Sequence, residues 1–162
     1  MRRTRSFAWS SPLEEARRAA ALTGLEHLGA IAASELSLGP LATLLGFELL
    51  EVEQGRVLVA AEPEELHYNH TGSVHGGFVC ALLDQATGMA AHSTLLPDEA
   101  FATVHLGVNL LRRLTLDSGR LLCQGRVLHR GRTTLTVAGR LADADGRLLA
   151  HATATCLLLA SR

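Results

Sequence analysis

The chain has 162 residues, of which 48% are apolar, so it is long enough for one domain with a substantial core and requires neither a second domain nor disorder. Its formal net charge is −1, and its 15 basic residues are all arginines spread along the chain from Arg2 to Arg162. This even distribution argues against nucleic acid as a partner.

The cysteines and the N-terminus indicate the compartment. Cys80, Cys123 and Cys156 lie far apart in apolar contexts without C-x-x-C spacing, which is typical of buried reduced thiols. The N-terminus begins with basic residues, but SPLEEARRAA stands where a signal peptide would have its apolar region. No apolar stretch reaches the roughly 18 residues of a membrane-spanning helix. We therefore expect a cytoplasmic protein without a membrane partner.

The first predicted element is an N-terminal helix. Ser11-Pro12 followed by Glu14 and Glu15 has the capping hydroxyl, first-turn proline and acidic residues of a helix start. We predict one helix from here to about Leu36, ended by Gly39-Pro40, with a loose apolar stripe that packs on a sheet or on a partner subunit. A short helical turn over LATLL follows.

Strand and helix signals then alternate along the chain. The segment FELLEVEQGRVLVAAE alternates in polarity on both sides of Gln54-Gly55 and predicts a β-hairpin. From Gly76, the segment GGFVCALLDQATGMAAHSTLL is rich in Ala and Leu and contains no proline, which predicts a helix of four to five turns. Because this helix is apolar nearly all round, other structure must cover most of it. Four strand-like segments follow, separated by the turn signals DSG, RGR and DADG.

This order of elements predicts an α+β fold in which a curved antiparallel six-stranded sheet wraps around a long central helix. We assign residues 1–39 to an N-terminal helical extension and residues 40–162 to the domain that contains the sheet.

A distinctive string of residues leads into the central helix. Asn69, Gly72, His75-Gly76-Gly77 and Asp84 are spaced like the motif of the hotdog-fold acyl-CoA thioesterases of the phenylacetate-degradation (PaaI) type. Residues 40–160 resemble this family, including VHLGVNLLRRL and HRGRT, whereas the N-terminal extension carries no motif. The resemblance implies a hotdog fold, hydrolysis of an acyl-CoA to a free acid and coenzyme A, and no cofactor besides the coenzyme A of the substrate.

Thioester hydrolysis requires an oxyanion hole and a nucleophile or a base that prepares water. The amides of Gly76 and Gly77 lie at the positive end of the helix dipole and are candidates for the oxyanion hole. A tight entry to the helix is the alternative reason for the two glycines. Asp84 is the candidate nucleophile or general base, because a carboxylate midway along an apolar helix is costly unless it is paired or used. The resemblance assigns the catalytic carboxylate to the same residue.

The spacing of these groups predicts how chains assemble. Seven residues of helix separate Gly77 from Asp84 by about 10 Å, which is too far for one thioester carbonyl to touch both groups of the same chain. We therefore predict that two antiparallel central helices pair about a two-fold axis and bring Gly77 of one chain opposite Asp84 of the other. The resemblance implies that this homodimer is the active unit and that dimers pair into tetramers.

Two residues of this string and two outside it have open roles. Asn69 either orients the attacking water or bonds the thioester carbonyl, or it satisfies loop backbone. Thr103 matches a position where relatives carry a Ser or Thr that assists the carboxylate or the water, with an ordinary strand residue as the alternative. His75 is expected to brace the loop or helix start through hydrogen bonds, with direct proton transfer as the alternative. Cys80 is assigned to core packing because no activating base is evident.

A cluster of histidines raises the question of a bound metal ion. His67, His70 and His75 lie within nine residues, but no Cys or carboxylate completes a recognised zinc spacing, and the family resembled uses no metal. We therefore predict no metal site.

Arginine side chains are the candidates for the phosphates of coenzyme A, because the guanidinium forks onto phosphate. The candidate residues are Arg130, Gly131, Arg132 and Thr133 in the turn HRGRT, together with Arg112 and Arg113. A solvated turn or strand end is the alternative. His105 and Arg113 differ from the residues common at these positions in the family, so the sequence does not predict which acyl group is bound.

The leading hypothesis is a hydrolase of aryl- or medium-chain acyl-CoA. Two alternatives remain open. One is a non-catalytic acyl-CoA-binding or regulatory module on the same fold, against which the presence of Asp84 argues. The other is a hotdog enoyl-CoA hydratase or dehydratase, which would pair a catalytic His with an acid in a different motif.

Overall fold

The computed structural model describes residues 2–159. The helices in this part of the chain are α1 (Pro12–Arg18), α2 (Gly24–Ala32), α3 (Pro40–Leu45) and α4 (Gly76–His92), with short 3₁₀ turns at Glu65–His67 and Leu116–Ser118. The strands are β1 (Glu48–Glu53), β2 (Arg56–Ala61), β3 (Ala100–Leu110), β4 (Leu121–Arg130), β5 (Thr134–Asp143) and β6 (Leu148–Leu159). The predicted extension and domain also include Met1 and residues 160–162, which lie outside the described residues.

The strands described here form one antiparallel sheet in the order β1-β2-β4-β5-β6-β3, and α4 packs against it. The side of α4 that faces the sheet is buried through Phe78, Val79, Leu82, Leu83, Ala86, Thr87, Met89, Ala90 and Ala91. All of these except the polar Thr87 belong to the hydrophobic core, together with the inward side chains of the strands. The predicted α+β architecture, with a six-stranded antiparallel sheet and a long central helix, is confirmed.

The predicted hairpin is also confirmed. β1 and β2 pair up to Glu53 and Arg56, with Gln54-Gly55 between them. Gly55 has φ +77°, in the left-handed region that glycine adopts without strain. Its N–H donates to the hydroxyl of Ser93 at 2.8 Å, which ties the turn to the residue that follows α4.

The predicted single N-terminal helix to about Leu36 is wrong, because the chain forms two helices there. α1 ends at Arg18, and α2 begins after Thr23 and ends at Ala32. Thr23 and Glu26 form a capping box: the Thr23 hydroxyl accepts from the Glu26 N–H at 3.2 Å, and the Glu26 carboxylate accepts from the Thr23 N–H at 2.8 Å. This reciprocal cap satisfies donors that a continuing helix would have bonded internally, and it starts a new helix.

Gly24, the first residue of α2, brings this helix into close contact with the end of α4. Its N–H donates to the carbonyl of Leu95 at 2.9 Å. A Cβ at this position would lie 1.7 Å from the carbonyl oxygen of His92, so only glycine permits the observed approach. The N-terminal extension is therefore fixed onto the central helix by direct backbone contact.

We expect Gly24→Ala to lower the free energy of unfolding by about 1–3 kcal/mol, because α2 must move away from backbone atoms that cannot yield. Gly29→Ala is the matched control in the same helix, since a Cβ there meets nothing within 4 Å. This control should leave stability unchanged or raise it by up to about 1 kcal/mol through helix propensity. Urea unfolding of both variants measures the difference, and equal stabilities would show that the close approach is unimportant.

One face of α4 is open in the single chain. Gly77 and Asp84 on this face are exposed. The edge strand β3 runs beside it, and Val104 on that strand is 58% exposed. The sheet therefore covers one side of α4 and α2 contacts its C-terminal end, whereas the uncovered side carries the Asp84 carboxylate.

Candidate active site

The residues that precede α4 form a tight loop held by Asn69. Its Oδ1 accepts hydrogen bonds from the N–H groups of Thr71 and Ser73 and from the Thr71 hydroxyl, at 2.7–3.2 Å. Its Nδ2 donates to the Ser73 hydroxyl at 3.1 Å. The side-chain oxygen thus supports the loop, as the structural alternative expected. The amide nitrogen has a second N–H, which is the part of Asn69 that remains for a ligand.

His75 caps the start of the central helix. The N–H of Gly77 donates to His75 Nδ1 at 2.8 Å, so this nitrogen carries no proton in the arrangement observed. The backbone N–H of His75 donates in turn to the carbonyl of His67 at 2.8 Å. His75 therefore braces the helix start. One consequence is that the Gly77 amide can bond an oxyanion only after the imidazole has turned away.

Asp84 lies between two adjoining pockets. A pocket of about 320 Å³ runs from Asp84 and Thr103 toward α2, and one of about 430 Å³ lies between α4 and β3. Thr103 lines both pockets, and its hydroxyl lies 3.9 Å from the Cys156 sulfur. Cys80 and His105 line the second pocket, so the departure at His105 falls beside the carboxylate. The structure thus brings Asp84 and Thr103 together.

The surroundings of Asp84 affect its protonation. Although solvent still reaches this side chain in the single chain, the protein atoms around it raise the pKa of the carboxyl by desolvation. Desolvation disfavours the charged form, and covering the open face of α4 would strengthen the effect. A carboxylate with a raised pKa accepts a proton more readily, which suits a general base.

Two of the candidate catalytic residues before and at the start of α4, Asn69 and Gly76, line a different pocket from Asp84. Asn69 and Gly76 border a cavity of about 330 Å³ at the N-terminal end of α4, together with Arg112 and Arg113. Asp84 does not border this cavity. Within one chain, the candidate oxyanion donors and the candidate base are therefore separated along the helix, as the spacing of the motif predicts.

The arginines predicted to bind phosphate fall into two groups. Near the Asn69 pocket, Arg112 Nε donates to the Leu148 carbonyl at 3.1 Å and Arg113 donates to the Gly72 carbonyl at 3.0 Å. Because both acceptors are neutral carbonyls, neither guanidinium is paired with a carboxylate through these two bonds.

The second group lies in the turn between β4 and β5. The guanidinium of Arg130 donates to both oxygens of Glu99 at 2.7 and 2.8 Å and to the Thr94 hydroxyl at 2.8 Å. The N–H of Gly131 closes the turn by donating to the Thr134 carbonyl at 2.8 Å, and the Thr133 carbonyl accepts from Leu158 at 2.8 Å. Arg132 is exposed at the tip. A phosphate at Arg130 would have to compete with Glu99.

The three histidines of the motif region differ in burial, since His67 is buried whereas His70 and His75 are exposed. His67 is buried, stacks on Phe78 at a centroid distance of 4.3 Å and accepts a hydrogen bond from the Glu64 N–H at 2.9 Å. Desolvation lowers the pKa of His67. Within residues 2–159, no group of three or more His, Cys, Asp or Glu residues is placed to hold a metal ion.

Sequence reasoning missed two pocket residues, His27 and His92. His27 Nδ1 and His92 Nε2 lie 3.0 Å apart, and both side chains line the 320 Å³ pocket that begins at Asp84. His92 stands eight residues after Asp84 on the same helix face, a spacing visible in the sequence. His27 is 65 residues from its partner, and only the fold brings the two rings together.

Comparison with known proteins places this geometry in a family. A sequence model of the thioesterase superfamily matches residues 71–150, which include Gly72 to Asp84 and Thr103. The crystal structure of smu.793 from Streptococcus mutans, bound to acetyl-CoA, is 31% identical, covers 72% of this chain and 91% of its own, and superposes with a TM-score of 0.65. The chain belongs to the thioesterase superfamily.

This thioesterase is also similar to two other proteins. A phenylacetic acid degradation-related protein from Ralstonia eutropha is 30% identical, with 80% of this chain and 97% of that chain covered and a TM-score of 0.72. The 1,4-dihydroxy-2-naphthoyl-CoA hydrolase of Listeria monocytogenes is 26% identical over 105 residues, which are 65% of this chain and 84% of that protein.

The predicted hotdog fold, the resemblance to PaaI-type thioesterases and the prediction of a thioester hydrolase are confirmed. None of the helices within residues 2–159 of this thioesterase has the length and hydropathy needed to cross a lipid bilayer.

Proposed function

We propose that this thioesterase hydrolyses an aryl- or medium-chain acyl-CoA to the free acid and coenzyme A. The observation that carries the proposal is the position of Asp84, which stands on the open face of an apolar helix, beside Thr103, where two pockets meet. The acetyl-CoA bound to the Streptococcus mutans relative and the acyl-CoA substrate named for the Listeria relative support coenzyme A as the thiol.

In the proposed reaction, water attacks the thioester carbonyl carbon while Asp84 takes a proton from that water. The oxygen that becomes negative is held by the amides of Gly76 and Gly77 at the start of α4, where the helix dipole is positive. The C–S bond then breaks, and Asp84 returns the proton to the departing thiolate. Alternatively, Asp84 attacks the carbonyl itself and the C–S bond breaks, which gives an acyl-aspartyl anhydride and the thiolate. Water then hydrolyses the anhydride to the free acid, which regenerates the Asp84 carboxylate and supplies the proton that the thiolate takes up. Both routes yield the same products and require Asp84 to be ionised at the start.

We propose that two chains form each active site. One chain separates Gly77 from Asp84 by about 10 Å of helix, so the oxyanion donors must come from a second α4 that runs antiparallel to the first. The open face of α4 and the edge of β3, where Val104 is 58% exposed, form the surface for this contact. Thr103 and Asn69 then assist from opposite chains. Dimers of this kind are proposed to pair into tetramers.

For the coenzyme A phosphates we propose Arg112 and Arg113 together with Arg132, because none of the hydrogen bonds described above pairs them with a carboxylate. Arg130, Gly131 and Thr133 shape the turn that presents Arg132.

The proposed location is the cytoplasm, since Cys80, Cys123 and Cys156 are all unpaired, as expected in a reducing compartment.

Release of free thiol from a panel of acyl-CoA esters tests the proposed function. The panel contains aryl, medium-chain and short-chain esters, and we expect turnover of at least one aryl or medium-chain ester above its spontaneous hydrolysis. Saturable binding without thiol release from any ester would instead identify a binding module. Hydration of an enoyl-CoA without thiol release would identify a hydratase.

The pH dependence of turnover reports on the ionisation of Asp84. Desolvation raises the pKa of Asp84 above its ordinary value, and the proposed reaction needs the carboxylate form. We expect kcat to fall on acidification, with a midpoint above the ordinary range for aspartate. Initial rates measured between about pH 4 and 8 with a saturating ester test this. A rate that stays constant down to pH 4 would exclude Asp84 as the titrating base.

A further inference from the structure

The edge strand β3 contains a β-bulge directly after Thr103. Its pairing with β6 is in register up to Thr103, which lies opposite Cys156. The register then shifts before the next paired residue, His105, which lies opposite Thr155. Val104 is therefore the extra residue of β3, and its side chain is 58% exposed. A bulge of this kind changes which side chains of a strand face each side of the sheet.

The bulge turns Thr103 toward the central helix. Its partner Cys156 is buried in the core, so both side chains lie on the side of the sheet that faces α4. Beyond the bulge, the residue opposite the buried Ala154 is Leu106, three positions after Thr103. In a regular strand, side chains on one face are separated by an even number of residues, so without the bulge Thr103 would face away from α4. The extra residue thus places the Thr103 hydroxyl on the side where Asp84 lies.

The Thr103 hydroxyl has a hydrogen-bonding partner in the buried thiol of Cys156. The oxygen and the sulfur lie 3.9 Å apart, a weak contact in which either atom can donate. Burial raises the pKa of the Cys156 thiol; the bond to Thr103 opposes this effect and the charge of Asp84 adds to it, so the thiol keeps its proton at neutral pH. An S–H that donates to the Thr103 oxygen leaves the proton of that hydroxyl available to Asp84 or to a water beside it, because an ionised carboxylate only accepts.

We propose that Cys156 is a positioning residue of the active site, which holds the Thr103 hydroxyl in the orientation that assists Asp84. This assignment rests on the proposed thioesterase function. Thr103 is exposed in the single chain and borders the same two pockets as Asp84, whereas Cys156 is buried and borders neither. The thiol therefore gives a solvent-exposed hydroxyl a fixed partner inside the protein, and it acts on the reaction only through Thr103.

Removal of the thiol tests this assignment. Cys156→Ala and Cys156→Val both remove the hydrogen-bonding partner, and valine does so without leaving a cavity, in a side chain suited to a strand. Each variant should lower kcat by about three- to tenfold, the range expected for one weak hydrogen bond. KM should change little, because Cys156 does not contact the substrate. Cys156→Ser keeps a donor and an acceptor and should retain most of the wild-type kcat.

A double-mutant cycle distinguishes positioning from a general effect on the fold. Thr103→Val removes the hydroxyl, keeps the branched shape of the side chain and should itself lower kcat. In a chain that carries Thr103→Val, the further change Cys156→Ala should cause no additional loss of kcat, because no hydroxyl is left to position. A purely structural role of Cys156 would instead lower kcat by the same factor in both backgrounds.

Cys123→Ala is the matched control for the loss of a buried thiol. Cys123 is as completely buried as Cys156, but it lies on β4 opposite Val59 and Leu141 and not opposite Thr103. Its replacement should lower the free energy of unfolding, as the replacement of Cys156 does, while kcat of the folded protein stays at the wild-type value. Urea unfolding and initial rates of both variants measure the two effects.

The outcomes are distinguishable. Wild-type kcat in Cys156→Ala or Cys156→Val would overturn this assignment, and so would a loss of kcat that persists undiminished in the Thr103→Val chain. Wild-type kcat in Thr103→Val, which requires no change at Cys156, would also overturn it. Each of these results leaves the thioesterase function intact. Failure of the wild-type protein to release thiol from any ester of the panel would refute the thioesterase function, and this assignment would fall with it.

Discussion

Asp84→Asn should lower kcat by a factor of about 10² to 10⁴, the range expected when a general base is lost. Asparagine has nearly the same shape as aspartate and can still form hydrogen bonds, but it cannot take the proton of the attacking water or attack the carbonyl. Substrate binding should survive, because the pockets on both sides of residue 84 keep their shape. Initial rates at saturating ester and a separate binding titration measure the two effects.

Stability provides an internal control for this variant. Desolvation raises the pKa of Asp84 in the folded chain, so the folded state disfavours the charged form. The ionised carboxylate therefore opposes folding at pH values above its unfolded pKa, and a neutral isostere removes this cost. Asp84→Asn should unfold at the same temperature as the wild-type protein or at a higher one near pH 7.

Cys80→Ala is the matched catalytic control, since Cys80 lies one turn before Asp84 and lines the same pocket. It should retain most of the wild-type turnover. Near-normal turnover in Asp84→Asn would remove this residue from the mechanism and direct attention to His75 and Asn69. Loss of turnover in Cys80→Ala would instead indicate a thiol nucleophile.

The sequence allowed the central helix, the hairpin and the sheet to be predicted because their signals are local. The Ala- and Leu-rich run after Gly76 has helical length, and Gln54-Gly55 separates two alternating segments. The break in the N-terminal helix was missed although Thr23 and Glu26 have the spacing of a capping box. The apolar stripe that continues through this region obscured the new helix start.

Other features could not be predicted because they depend on contacts between distant segments. His27 meets His92 only because Gly24 allows α2 to approach the end of α4. The pairing of Arg130 with Glu99 spans 31 residues and changes how that arginine can bind phosphate. The bond between His75 and the Gly77 amide depends on a side-chain rotamer, which no spacing in the sequence encodes.

If each active site combines Gly77 of one chain with Asp84 of another, as proposed, mixing two inactive variants should restore activity. Asp84→Asn removes the base, and Gly77→Val crowds the oxyanion donor. Gly77 is exposed, and a Cβ there would approach mainly the movable His75 ring at 2.9 Å, so Gly77→Val should fold. Circular dichroism and gel filtration check that it does.

In a heterodimer of these two chains, one site has both intact groups and the other site carries both defects. Equal amounts that pair at random should therefore regain about a quarter of the wild-type rate, because half of the dimers are heterodimers and each has one working site. A mixture of Asp84→Asn with Asp84→Ala is the matched control and should remain inactive, since neither chain supplies the carboxylate.

The most direct measurement is the thiol release rate of the Asp84→Asn and Gly77→Val mixture after subunit exchange has been verified by mass spectrometry. The shared site predicts a rise from the parental background to about one quarter of the wild-type rate. If exchange is complete and the mixture remains as inactive as its parents, the two groups do not act across the subunit boundary and the shared site is wrong.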